Sequence, residues 1–265
     1  MRGITRDCVV EMFDRKIWFI FALVTLFTII AIALSGTMDF KLSVQTNENL
    51  DLQQINNIFG DPLMRSYSLF LSFLIFLTVL ATSGLIPNML KKGRAEFYLS
   101  KPLSRNSLLL NKLFGIWFTY GSIIVLCSVF VWATMYLIYG FFDWHILYIL
   151  ISGLVVLFLW LSIIVFTGII FRTNALVLMT VFIVWVIQYI LKYHESISAF
   201  FKSKQIGYVV DTLYYIIPKT SKIADIAFEY ASKHNMVSWE PLYSSLLFVI
   251  ILLFVTSYVF KRISY

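Results

Sequence analysis

Charged residues are scarce in this chain of 265. Asp, Glu, Lys and Arg together make up 13% of it, against about a quarter in a soluble domain. Hydrophobic residues make up 60%, so the chain has too little polar surface to coat a water-soluble globule. Cysteine is nearly absent: Cys8 and Cys127 are far apart in sequence and form neither a disulfide framework nor a metal spacing. The three histidines, His145, His194 and His234, show no i, i+2 or i, i+4 pairing. A copper site built from them with Met38 and Met236 is therefore weaker than a reading as scattered loop residues. There is no G-x-x-x-x-G-K-[ST] phosphate loop, no H-E-x-x-H and no G-x-S-x-G. No metal or cofactor site is expected, and no catalytic residues. A membrane-embedded enzyme would need convergent catalytic groups that the sequence does not offer.

What is present is long apolar runs. A bilayer span needs about 20 mostly apolar residues, and six segments qualify: Ile17–Ser35, Tyr67–Ile86, Leu113–Tyr139, Ile146–Phe171, Ala175–Leu191 and Leu242–Phe260. The expected fold class is an all-α integral membrane protein with six transmembrane helices in one domain over 1–265. The first run resembles a signal sequence in its basic start and its small residues Ala31, Ala33, Ser35 and Gly36. It is longer than a signal core and follows Asp7, Glu11 and Asp14, which favours an uncleaved span. These six runs hold no Asp, Glu, Lys, Arg or His, so proton relays, ion sites and voltage sensors are not expected. Their mild polar groups, Ser72, Thr78, Thr82, Ser83 and Gln188, suit hydrogen bonds between helices.

The net charge of +7 would suggest nucleic acid in a soluble protein. Here the basic residues sort by side, so no nucleic acid is expected. With the N-terminus inside, the inner segments hold 13 basic and 4 acidic residues, and the outer segments 8 and 10. The positive-inside rule therefore places both termini in the cytoplasm of a cell-membrane protein.

Three polar segments read as structured. Over 1–16, Ile4, Cys8, Val9, Met12 and Phe13 share one helical face, and Arg6, Asp7, Glu11, Asp14 and Arg15 the other. That pattern predicts an interfacial amphipathic helix; a short solvated tail is the alternative. Over 192–241, on the outer side, Ile206, Val209, Val210, Leu213 and Ile217 keep helical spacing up to Pro218. Thr220 or Ser221 can then cap a second helix carrying Ile223, Ile226, Ala227 and Tyr230. A helical hairpin at the outer leaflet is expected there, with a small extracytoplasmic subdomain as the alternative.

The third is "KKGRAEFYLSKPLSRNSLLLNK", residues 91–112, with six basic residues and the single acid Glu96. Pro102 pushes Lys101 out of the helical region, and Ser104 can cap a helix running through Leu108–Leu110 into span three. A short helix, a proline corner and a long helix result, with the polar element over 91–107. Within it, "KGRAEFYLSKPLSRNSLLLNKLFG" resembles the segment after the second span of export-type ABC transporter permeases. The similar branch is the NosY-like multicopper-enzyme-maturation permeases. Gly93, Glu96, Leu99, Ser100, Pro102, Leu103, Arg105 and Lys112 match that family's pattern. Arg94 stands where a small Thr is usual, and Leu113 and Phe114 separate Lys112 from Gly115.

The resemblance implies that residues 91–107 form a cytosolic coupling helix that docks on a separate ATP-binding cassette ATPase, with Gly93, Glu96, Phe97, Tyr98, Pro102 and Arg105 at the interface. It implies a permease subunit, not itself an enzyme, working with a second permease copy as a homodimer or related heterodimer. The rival for the basic residues is anchoring to anionic lipid. The rival function is a membrane scaffold that assists assembly or maturation of other proteins without transport. The low charge of the spans suits an apolar or amphipathic cargo.

Overall fold

The structure is a computed structural model and describes residues 2–44, 52–90, 105–192, 212, 214, 217–233 and 238–262. Among these residues there is no strand, and nine helices form: α1 (Arg2–Asp14), α2 (Ile17–Val44), α3 (Leu52–Thr82), α4 (Leu85–Met89), α5 (Arg105–Tyr139), α6 (Ile146–Phe171), α7 (Asn174–Leu191), α8 (Thr220–Lys233) and α9 (Glu240–Arg262). Six stretches are long and apolar enough to cross a membrane: Ile17–Leu34, Pro62–Met89, Asn106–Tyr139, Ile146–Phe171, Asn174–Leu191 and Glu240–Arg262. Each coincides with one of the six apolar runs, so the chain is read as a multi-pass membrane protein.

α6 is the centre of the bundle. It is apolar on every side, as a helix surrounded by other helices must be, and it packs against α3, α4, α5, α7, α8 and α9. Small residues let two neighbours come close. A Cβ at Gly153 would sit 2.4 Å from Leu71 Cδ2 of α3, and one at Gly168 would sit 2.9 Å from Ile86 Cβ of α4. Trp117 of α5 donates its indole N–H to the Leu154 carbonyl at 3.1 Å, and its ring meets Phe158 edge-on.

Two corners at one end of the bundle are made by basic residues in left-handed backbone. Lys16, between α1 and α2, and Arg172, between α6 and α7, both have φ of 54°, a region that non-glycine residues rarely adopt. The Arg172 amide bonds back to the Gly168 carbonyl at 3.1 Å and closes α6. At the other end, Gly140 (φ 64°) ends α5.

Helix lengths depart from the apolar runs in three places. α2 continues to Val44 and α3 begins at Leu52, so helix extends well into the segment 36–66 that hydropathy assigns to a loop. Pro62 lies inside α3. The second span also breaks at Ser83–Gly84 before the single-turn-and-a-half α4. There the Ser83 hydroxyl meets both the Leu80 carbonyl and Asn174 Oδ1 of α7, each at 2.8 Å.

Candidate functional site

α5 begins at Arg105 and runs 35 residues without a break, about 52 Å at 1.5 Å per residue. One face is buried along its whole length: Leu109, Leu113, Ile116, Tyr120, Ile124, Cys127, Val131 and Met135. The steps of three and four keep these residues on one stripe. α1 and α2 both lie against α5, with Phe21 of α2 beside Tyr120 at 6.4 Å between ring centroids.

The α1–α5 joint is polar at its heart. Cys8 and Met12 of α1 are buried, while Val9, Val10 and Phe13 are exposed. The apolar face of α1 therefore divides: one edge packs on α5 and the other faces outward. Lys112 is only 3% exposed, and its Nζ lies 3.7 Å from Glu11 Oε2. The other Glu11 oxygen accepts from Arg15 at 2.7 Å. Burial pushes the Cys8 thiol up, and Lys112 beside it pulls the other way without cancelling the effect. Lys112 sits four residues after Leu108 and three after Leu109, on the apolar stripe of α5. That position is the sequence signal that foretells its burial; counting it only as a charge near a span misses it.

Of the proposed coupling residues, Gly93, Glu96, Phe97, Tyr98 and Pro102 lie outside the described residues. Arg105 is the first residue of α5. The segment that carries them thus connects Leu90, just past α4, to the start of the helix that α1 braces.

At the opposite end, α8 crosses the start of α6. Tyr230 and Tyr148 meet edge-on at 4.6 Å between centroids, and Trp239 lies 6.0 Å from Tyr230. The Asp143 carboxylate holds His145 Nδ1 at 2.6 Å and the His145 amide at 2.8 Å. His194 and His234 lie outside the described residues, and among those described no three of His, Cys, Asp and Glu converge on a metal-sized site. The first helix expected of the outer hairpin lies almost wholly outside the described residues. The second is α8, with Ile223 and Ala227 buried and Ile226 and Tyr230 half-buried. Thr220 begins α8, but its hydroxyl donates to Gln188 Oε1 of α7. That bond ties α8 to α7.

Most of the mild polar groups in the spans bond within their own helix. Ser72, Thr78 and Thr82 donate to the carbonyls four residues earlier, the usual escape for a hydroxyl inside a helix. Only Ser83 and Gln188 among the five reach another helix.

A cavity of about 750 Å³ lies between α3, α6, α7 and α8. α3 and α7 both pack on α6, and α8 lies across α3, α6 and α7. The lining includes Leu71, Ile75, Val156, Trp160, Phe182 and Trp185, and among the described residues no Asp, Glu, Lys, Arg or His.

No family model matches the chain, and no curated protein matches it either.

Proposed function

We propose that this chain is the membrane-spanning permease subunit of an ATP-driven ABC transporter, with ATP hydrolysed by a separate cytosolic subunit. Two copies, or one copy and a related permease, would work with two ATPase subunits. The arrangement is isologous when the two permeases are identical. Both termini, α1 and residues 91–107 face the cytoplasm in this reading. α1 lies at the membrane interface, with Val9, Val10 and Phe13 toward lipid.

One observation carries the reading: α5 is a single unbroken helix that starts where the docking segment ends. A push on residues 91–104 reaches Arg105 first and passes along a rigid rod that crosses the bundle. The α1 brace through Glu11 and Lys112 keeps that rod from bending at its base. Glu96, Lys101 and Arg105 then set partner register by charge, and Phe97 and Tyr98 supply the apolar anchor that interfaces favour. The chain itself has no phosphate loop, so the energy comes from the partner.

The test is co-expression with a cytosolic ATP-binding cassette ATPase from a neighbouring gene, followed by purification on a tag at this chain. The ATPase should co-purify, and reversing charge at both Glu96 and Arg105 should release it. Pro102→Ala should weaken retention by loosening the corner. Failure of the intact chain to retain any ATPase would overturn the reading.

A further inference from the structure

The cavity between α3, α6, α7 and α8 is built to take an apolar chain from the side. Its volume lies in the range of small-molecule sites, about 300–1,000 Å³. Its floor is α6, where Gly153 lacks a side chain, its walls are α3 and α7, and α8 forms a roof. Ser72 and Phe76 on one wall and Met179, Phe182 and Trp185 on the other are exposed and lie inside the membrane-spanning stretches. The opening therefore faces hydrocarbon.

Ser68, Ser72, Ser152, Tyr189, Thr220 and Ser221 also line the cavity, but among its described lining residues Gln188 alone carries a buried polar atom without a partner. Gln188 is 6% exposed. Its Oε1 accepts from Thr220, and its Nε2 has no acceptor among the described residues. A buried N–H without a partner is costly and rare, so a turn of the Gln188 amide that brings Nε2 to an occupant's acceptor oxygen is favoured by the bond it makes. The depth of Gln188 says what kind of oxygen. α7 has 18 residues, about 27 Å of helix, close to the roughly 30 Å of a hydrocarbon core. Gln188 stands three residues from its end, near the boundary where lipid glycerol esters lie. From there the lining runs inward past Trp185, Phe182 and Met179 toward the middle of the bilayer.

We infer that this cavity binds one acyl chain of an ester-linked membrane glycerolipid, whose ester carbonyl oxygen accepts from Gln188 Nε2. A second copy of this chain is the less suitable occupant. Its helices already satisfy their own backbone groups, and the roofed pit suits an inserted chain better than a flat helix face. The inference does not rest on the ATPase reading, because the site is complete in this chain alone.

The experiment uses the purified full chain in detergent. Ester-linked and ether-linked phospholipids of equal chain length and headgroup are offered, and bound lipid is counted by native mass spectrometry. The native chain should retain the ester lipid about fivefold better than the ether lipid, the worth of one ordinary hydrogen bond. Gln188→Leu should erase that preference. Ser72→Trp fills the mouth, leaves the Gln188–Thr220 bond untouched and should lower retention of both lipids. A phospholipid with a diazirine in its acyl chain should label the peptides bearing Phe76 and Phe182 in the native chain, a readout that needs no variant to fold. Equal retention of the two lipids by the native chain would overturn the inference. So would labelling that avoids both peptides, or a disulfide between two copies through Met179→Cys that displaces the label.

Discussion

Lys112 Nζ lies 3.7 Å from Glu11 Oε2, across the contact between the first helix and the base of α5. Lys112 is nearly sealed from solvent while Glu11 is about a quarter exposed, so the partners are not equivalent. Glu11→Gln leaves a buried ammonium without its carboxylate. Lys112→Met leaves a carboxylate that still holds Arg15. The first should destabilise by about 1–2 kcal/mol, less than the 3–5 of a fully buried pair because Glu11 is partly solvated. The second should cost less. Thermal unfolding of the two variants in detergent gives the order, and a larger loss for Lys112→Met would refute it.

Three glycines make a graded series. Alanine at Gly121 would place its Cβ 3.5 Å from Leu154 Cδ2, an ordinary contact. Gly121→Ala should be neutral or stabilising by up to about 1 kcal/mol, the helix preference of alanine over glycine. At Gly153 the obstacle is the end of Leu71, which can turn aside. At Gly168 it is the branched Ile86, at 2.9 Å to both Cβ and Cγ2, with Pro87 Cδ at 3.3 Å. β-branched and proline side chains have little freedom to yield. Gly168→Ala should therefore cost the most, about 1–3 kcal/mol as for other overpacked cores, with Gly153→Ala between. Melting temperatures of the three variants test the order.

Ser83 and Asn174 join the broken end of the second span to the start of α7. Ser83→Ala and Asn174→Ala should each destabilise, and the double variant should lose less than the sum. The coupling expected from one hydrogen bond is about 1 kcal/mol. Additive losses in the double-mutant cycle would show that the bond contributes nothing.

Cys8 should react slowly with maleimides at neutral pH. Its thiol is buried against α5 and held above the ordinary thiol range by that burial. Only the thiolate attacks, so a raised value lowers the reactive fraction at any given pH below it. The rate should climb with pH along a curve displaced upward from that of a cysteine placed at exposed Asp14, on the polar face of α1, in a Cys8→Ser background. Coincident curves would mean that α1 does not stay docked.

The six spans could be read from composition alone, since burying a backbone in lipid demands about 20 apolar residues whatever surrounds them. The amphipathic α1 and the stripe of α8 were legible for a related reason: helical periodicity writes a face into the sequence. What periodicity does not state is which neighbour takes that face. Val9 and Phe13 share a side with Cys8 and Met12 in the pattern, yet only the latter pair is buried. The helical continuation of α2 to Val44 and of α3 back to Leu52 was hidden because polar residues there carry no hydropathy signal.

By itself, then, the sequence determined six apolar segments long enough to cross a membrane, a charge bias between the stretches that join them and one basic, proline-containing stretch. Each of these depends on residues close together along the chain. The tertiary structure decided that α6 is the hub, that Lys112 is buried against Glu11, that Thr220 ties α8 to Gln188 of α7, and that α3 and α7 leave a lateral cavity between them. Each of these depends on groups distant in the sequence: Glu11 and Lys112 are 101 positions apart, and Leu71 and Phe182 on facing walls of the cavity are 111 apart. Packing of α1 on α5, and of α3, α7 and α8 around α6, brings such groups within reach.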